Sequence, residues 1–460
     1  MRDHRVNPVD AVWLSMDGPD NLMVIESLMF LDGPVDRARL EHVLRTRLLE
    51  LFPVFSRRPL PGRGKWGRPR WRDVGELDLS RHLREVRLPA PGGDAELQAY
   101  VGTCLATPLP RDRPLWDIHL IEGLAEGSAI YVRLHHALAD GIALTQVLFS
   151  LTDLSDEGDR DGSFHPDGRH HLLSEVVQAA RRVAPEVPQL LRPARIRAGF
   201  RTGARLGFSG VGVMKKLLFT RNPESPVSGV AGPEKRAVWS EPMQLQRIKD
   251  IAAHADATVN DVLVSALAGA LARYQVEHGG RAVDLPTMIP VNLRPLNVPL
   301  PRELGNRFAL VLLNLPSGRG EPLARLAETK RRMDVIKASP EPAITFTLIQ
   351  AIGWLGNRLN RPLVTFFAGK VAGVTTNVPG PREPRYLAGT RISGLLGWVP
   401  GSGQQALGTC IFTYAGTVRI GFKTDTAVIA DPERILAAFH AEIETLDAAF
   451  VVARLVSTGD

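Results

Sequence analysis

The sequence predicts an α/β (α+β) protein built as two domains, and three observations carry that reading. The chain has 460 residues, which is enough for two full hydrophobic cores. Segments with the two-residue period of a strand and segments with helical spacing succeed one another from end to end. Residues 154–170 are polar, rich in Asp, Gly and Arg, and aperiodic, as expected of an excursion or a domain boundary. The expected division is an N-terminal domain over 1–165, a basic helical linker over 166–234, and a C-terminal domain over 235–460.

Bulk composition narrows the function classes. Apolar residues make up 44% of the chain and charged residues 23%, the balance of a soluble globular protein. The start, Met-Arg-Asp-His-Arg-Val-Asn, has no apolar core and does not read as a secretory signal. No run approaches the ~18 apolar residues of a membrane helix. The two cysteines, Cys104 and Cys410, are far apart and in no ligand spacing, which suggests a reducing, cytoplasmic setting and two small buried hydrophobes. A net charge of +7 and a pI near 9.6 attract anionic partners: lipid head groups, nucleic acid, or the phosphates of a nucleotide-like substrate. No nucleic-acid motif accompanies the charge, so no nucleic-acid partner is expected.

In the first half, residues 22–31 read as a strand and 36–51 as an amphipathic helix. Residues 57–73 are basic and carry Trp66 and Trp71, a pattern found in single-strand binders. Their Gly and Pro content fits a β-hairpin better. Residues 94–106 read as a helix. The block Arg113-Pro-Leu-Trp-Asp-Ile-His-Leu-Ile-Glu122 reads as a strand in which Trp116 and His119 are structural.

Residues 129–149 are the centre of the sequence. Residues 129–134 form a buried strand broken only by Arg133, and Ile142, Leu144, Val147 and Leu148 then recur at helical spacing. Between them stand His135, His136, Asp140 and Gly141. Adjacent side chains on a strand point in opposite directions, so one histidine can face a cavity while the other packs away from it. A histidine there can take a proton from an alcohol. Asp140 lies where the chain turns into the helix and can orient the loop by pairing with an arginine, with Gly141 allowing a tight backbone. An adjacent His-His pair does not close easily on one ion, so no metal is expected.

Residues 172–220 read as helices with loop breaks. Between Pro188 and Pro223 arginines and lysines accumulate among bulky apolar residues with no acidic residue, which fits either a membrane interface or a linker with a solvated basic face. His165, His170 and His171 fall in the polar excursion before it. In the second half, Thr258 or Asn260 can cap the small-residue helix that follows, and Asp261 suits its first turn. Residues 344–359 read as an amphipathic helix and 371–378 as a strand stopped by Pro379-Gly380-Pro381. Closing strands and a last helix over 435–450 end the chain.

The motif His135-His136-Ala137-Leu138-Ala139-Asp140-Gly141 resembles the His-His-x-x-x-Asp-Gly signature of CoA-dependent acyltransferases. The chain is most similar to the bacterial wax ester synthase/diacylglycerol acyltransferase family. The Pro114-Leu115-Trp116 block, the Asn260-Asp261 pair and Asn377-Val-Pro-Gly-Pro381 agree with that family along nearly the whole length. The resemblance implies two chloramphenicol-acetyltransferase-like domains with the active site at their interface. It implies a long-chain acyl-CoA as substrate, no cofactor, a diacylglycerol or fatty alcohol as acceptor, and a peripheral place on a membrane or lipid-body surface. In related acyltransferases an arginine holds the motif aspartate, which makes Arg294 the candidate partner of Asp140. Asn260 and Asp261 are then supporting residues near the site, and Asn377 reaches the cavity.

The expected chemistry is direct transfer, since no Gly-x-Ser-x-Gly elbow is present. His136 is the expected base, Asp140 holds the motif, and His135 is secondary. The sequence identifies no oxyanion donor. Two alternatives stay open: an acyltransferase that uses a carrier-bound donor or a polyketide alcohol, and a catalytically weak homologue that binds membrane or lipid droplets.

Overall fold

The computed structural model describes residues 3–62, 67–158, 212–213, 215–294, 300–354, 357–401 and 403–457. Most of the expected basic linker, with His165, His170 and His171, lies outside the described residues, as does Trp66.

The first half runs β1 (Asp3–Arg5), α1 (Pro8–Met16), β2 (Val24–Leu31), α2 (Arg37–Val43), β3 (Arg57–Leu60), β4 (Arg70–Asp73), β5 (Leu83–Arg87), α3 (Asp94–Leu105), β6 (Trp116–Glu122), β7 (Ser128–His135) and α4 (Gly141–Ser150). The expected helix over 36–51 starts at its Asp36 cap but continues beyond Val43 as a π-helical turn, Leu44–Leu49. The expected hairpin forms from β3 and β4, and β1 adds to its far side to make a small three-stranded sheet.

The second half runs β8 (Lys235–Trp239), β9 (Met243–Gln244), α5 (Leu245–His254), α6 (Val259–Glu277), β10 (Leu285–Asn292), β11 (Phe308–Leu315), α7 (Pro322–Lys337), α8 (Glu341–Trp354), α9 (Asn357–Ala368), β12 (Gly373–Pro379), β13 (Tyr386–Leu387), β14 (Thr390–Trp398), β15 (Leu407–Tyr414), β16 (Thr417–Asp425) and α10 (Pro432–Ser457). Where one helix over 344–359 was expected, two stand in succession, α8 and α9.

Two large sheets organise the molecule. The second has the order β11-β10-β12-β15-β16-β8, with β9 also on β16. The first has the order β13-β14-β2-β7-β6-β5. Its strands β13 and β14 come from the second half of the chain. β14 runs antiparallel to β2 from Ile392 opposite Leu31 to Trp398 opposite Glu26. It buries Ile392, Leu395, Leu396 and Trp398 and covers what would otherwise be the open edge of β2. The sheets therefore interlock, and residues 386–398 tie the second half to the first.

Arg133, the one charge inside the strand β7, is explained by cross-strand register. It stands opposite Glu26 on β2 and Asp117 on β6, so opposite charges alternate across three buried strands. Asp117 also accepts from Arg113 at 3.0 Å, and Lys423 approaches Glu26 at 3.4 Å. Pairing is what allows these charges to be buried. Trp116 is core: its indole N–H donates to the Phe55 carbonyl at 2.8 Å and its ring stacks on His82. His119 is also buried and structural, 2.7 Å from the Tyr100 hydroxyl. Cys104 and Cys410 are both free and buried. No single described helix is long and apolar enough to cross a membrane.

Candidate active site

The strand β7 ends at His135, and the next residues turn sharply into α4. The two histidines diverge, as alternation on a strand requires. His135 points into the protein. Its Nδ1 accepts the Ala137 N–H at 3.0 Å, which places its ring proton on Nε2, 3.6 Å from the Asp17 carboxylate. Asp17 is in turn held by the Met23 N–H and by Arg111, each at 2.9 Å. Burial lowers the pKa of His135, and the ring braces the loop through the Ala137 N–H that its Nδ1 accepts.

His136 faces the other way, onto a cavity of about 210 Å³. Its backbone is clamped on both sides: the N–H donates to Met23 O at 2.7 Å, and the carbonyl accepts from Asn306 Nδ2 at 2.8 Å. Its ring stacks on Trp13 with centroids 4.3 Å apart and leans on Phe308 at 5.3 Å. Burial lowers its pKa to about 4, so near neutral pH the imidazole is unprotonated. Its Nδ1 has no hydrogen-bond partner among the described residues. The base form is therefore the resting form, in a buried, mostly apolar setting.

Asp140 is the N-cap of α4. One carboxylate oxygen accepts the Ala143 N–H at 2.8 Å. The other accepts Arg294 Nε at 3.1 Å and the Arg307 N–H at 3.0 Å. Arg294 also donates to the Gly305 carbonyl, so it ties the histidine loop to the segment between β10 and β11. The Asp140–Arg294 ion pair is almost wholly enclosed, with side-chain exposures of 3% and 9%. Gly141 corrects one expectation. It adopts no left-handed conformation, and a Cβ there would meet nothing within 4 Å. As the first residue of α4 it has ordinary helical backbone, and a side chain at this position would project into the cavity it lines.

The remaining expected residues divide. Asn377 lines the cavity and donates to Asn260 Oδ1 at 2.8 Å, so Asn260 is tied to a wall residue without being part of the lining. Asp261 does not join them. It is buried at the start of α6, where its carboxylate accepts from Thr258 N at 2.9 Å and from the Thr258 hydroxyl at 2.7 Å in a reciprocal cap.

Several residues of the site read from sequence as core structure or carried no assigned role. Asn306 is buried and bridges the halves: its N–H and Nδ2 donate to Asp10 at 2.9 and 2.8 Å, while Nδ2 also reaches His136. Burial raises the Asp10 carboxyl to about 7, with the nearby Asp140 acting in the same direction. Trp13 lies one turn along α1 from Asp10 and supplies the stacking face. The cavity wall is mostly apolar and comes from both halves: Ile25 and Leu144 from the first, Leu310, Ile352, Phe367 and Phe412 from the second, with Thr145, Asn292 and Thr345 among its polar members. Among the described residues no group of three His, Cys, Asp or Glu side chains could hold a metal ion.

The arrangement is thus one neutral, oriented imidazole at the wall of an apolar cavity between two interlocked sheets. Comparison with known proteins gives the family. Residues 6–263 match the model of the wax ester synthase/diacylglycerol acyltransferase catalytic domain, and residues 304–447 match that of the WS/DGAT C-terminal domain. The Mycobacterium tuberculosis protein tgs1, named a probable diacylglycerol O-acyltransferase, is 30% identical over 93% of this chain and 92% of its own length. Among solved structures, the wax ester synthase/diacylglycerol acyltransferase from Marinobacter aquaeolei VT8 shares the fold, with a TM-score of 0.68, 20% identity and coverage of 97% and 99% of the two chains. The first condensation domain of the calcium-dependent antibiotic synthetase shares it with a TM-score of 0.60, 18% identity and coverage of 97% and 96%. The chain belongs to the wax ester synthase/diacylglycerol acyltransferase family, and with it to the acyltransferases.

Proposed function

We propose that the protein transfers a long-chain acyl group from acyl-CoA to the hydroxyl of a diacylglycerol, with fatty alcohols as second acceptors, and that His136 is its base. One observation carries the reading: a buried, unprotonated imidazole is presented at the wall of an apolar cavity. The acceptor hydroxyl loses its proton to His136 as its oxygen bonds to the thioester carbonyl carbon. The carbonyl π pair moves onto oxygen. When that oxyanion collapses, the C–S bond breaks, and the proton on His136 passes to the departing CoA thiolate. Asp140 and Arg294 hold the loop and do not touch the substrate.

We further propose that the acceptor arrives from a lipid surface. Leu218, Phe219 and Phe366 are exposed, while their neighbours Leu217 and Phe367 line the cavity. Lys370 links the two segments, donating to Leu218 O at 2.6 Å and lying 4.2 Å over the Phe366 ring. The exposed Lys215 and Arg221 flank them. Apolar rings edged by cations suit an anionic lipid interface.

The test is CoA thiol release from palmitoyl-CoA with dipalmitoylglycerol or hexadecanol as separate acceptors, with and without anionic vesicles. Release that requires acceptor, is faster with dipalmitoylglycerol, and rises on vesicles is expected. Faster release with hexadecanol would make wax ester synthesis the main reaction. Release only from an acyl-carrier protein would move the donor to the carrier-bound class. Vesicle binding with no release from any donor would leave a lipid-binding protein.

A further inference from the structure

Acyl transfer places a negative charge on the former carbonyl oxygen, and the site needs a donor for it. Most polar side chains on the cavity wall are already committed. The Thr145 hydroxyl donates to Gly141 O at 2.8 Å, the Thr345 hydroxyl to Glu341 O at 3.0 Å, and one N–H of Asn377 Nδ2 to Asn260. Asn292 differs. It lines the cavity, and its Nδ2 is buried with no hydrogen-bond partner among the described residues.

Three features place and orient that amide. Asn292 stands directly opposite Phe308 in the antiparallel pair of β10 and β11, so both side chains leave the same face of the sheet. The adjacent Leu293 N–H bonds to Arg307 O at 3.1 Å, which makes Asn292 and Phe308 the close, non-hydrogen-bonded pair, with Cα atoms typically ~4.5 Å apart. Phe308 leans on the His136 ring, so the base and Asn292 both neighbour the same side chain, and both line the cavity. Finally, Asn292 Oδ1 accepts the Arg294 N–H at 2.9 Å. A flipped amide would set N–H against N–H, so the free group is the NH2. The same Arg294 is fixed by Asp140, and thus one residue anchors both the loop of the base and this amide.

We propose that Asn292 Nδ2 is the oxyanion donor, a catalytic residue for the transfer. The inference rests on the acyl-transfer reading of His136. An unpartnered buried donor costs roughly 1–3 kcal/mol. The thioester oxygen satisfies it, and more strongly once the π pair has moved onto that oxygen.

The test compares Asn292→Ala and Asn292→Asp with the parent. The Asp variant keeps the acceptor for Arg294 N–H and removes both donors. Removing an oxyanion donor costs about 10²- to 10³-fold in kcat. That loss is expected in both variants, with the KM for palmitoyl-CoA and the melting midpoint little changed. A ketone analogue of palmitoyl-CoA, with CH2 in place of the thioester sulfur, should bind Asn292→Ala roughly fivefold more weakly, the equivalent of one hydrogen bond. The hexadecyl thioether of CoA, which lacks the carbonyl, should bind both proteins equally. Among the described lining residues, Trp13 and Trp398 also carry indole N–H groups without a partner, and Trp13 is the one stacked on His136. Trp13→Phe keeps the stack on His136 and should lose less kcat than Asn292→Ala.

Any of four results would overturn the assignment: kcat within threefold of the parent, equal weakening of both analogues, loss of folding in both variants, or a larger kcat loss in Trp13→Phe. Full activity of His136→Ala is a different failure. It would remove the acyl-transfer reading itself, whatever Asn292 shows.

Discussion

Replacing Arg294 with Met tests how the site is held. Met keeps much of the volume and removes the charge and all donors. Asp140 then keeps the N–H groups of Ala143 and Arg307 but faces no cation, in a place where it is 2% exposed. Removing one member of a buried pair costs about 3–5 kcal/mol, because the other charge stays desolvated. The two remaining charge-assisted bonds put the expectation near the lower end. Asp140→Asn is no gentler. Its Oδ1 can still cap α4, but its NH2 then faces two donors, Arg294 Nε and Arg307 N. In the double variant the stranded charge is gone, so its cost should fall short of the sum of the singles by ~2 kcal/mol or more, within the range for contacting residues. Urea unfolding of the four proteins gives the coupling. Turnover is a second readout: a shift of the histidine loop by about 1 Å lowers kcat roughly 10²-fold. A cost below 1 kcal/mol for Arg294→Met, or strict additivity, would refute the view that this pair anchors the loop.

Other outcomes follow from the same geometry. Asn306→Ala leaves the His136 carbonyl and Asp10 each one bond short, and should cost ~2–3 kcal/mol with a fall in kcat larger than any change in KM. Asp10 titrates at 3.8 unfolded and about 7 folded, so folding binds a proton between those values. Stability linked to Asp10 is complete below pH 3.8 and is lost as pH rises to about 7, up to ~4 kcal/mol in all; Asp10→Asn should abolish that part of the pH dependence of urea unfolding. Because burial holds His136 near 4, kcat/KM should stay flat from pH 8 to about 5.5 instead of falling by half at histidine's ordinary 6.5. A half-point at 6.5 would mean that the base is solvated in the free enzyme.

The core of the site was legible in the sequence because it is local. A strand that ends in two histidines must splay them, and the turn after it places Asp140 at the head of α4. What escaped lies in contacts between distant elements. Asp10, Trp13 and Asn306 sit in ordinary helix and loop contexts, and only the meeting of α1 with the segment before β11 turns them into a clamp. The partnership of Arg294 with Asp140 came from family resemblance, since 154 positions separate the two and no local pattern links them. Asn292 needed the register of β10 on β11, which alternation alone does not set. The crossing of β14 into the first sheet was hidden for a similar reason: Thr390–Trp398 reads as an ordinary closing strand, and its partner is chosen by the open edge of β2. Gly141 shows the opposite error. Its chemistry suggested a tight backbone, whereas the Asp140 cap begins a normal helix there.

The central claim is that His136, and not His135, moves the proton. Single-turnover formation of triacylglycerol from palmitoyl-CoA and dipalmitoylglycerol, by the parent, His136→Ala and His135→Ala, addresses it directly. Loss of a general base lowers the rate by about 10²- to 10⁴-fold. That loss is predicted for His136→Ala with folding intact, while His135→Ala should lose stability before it loses chemistry. Near-parental transfer by folded His136→Ala would contradict the account.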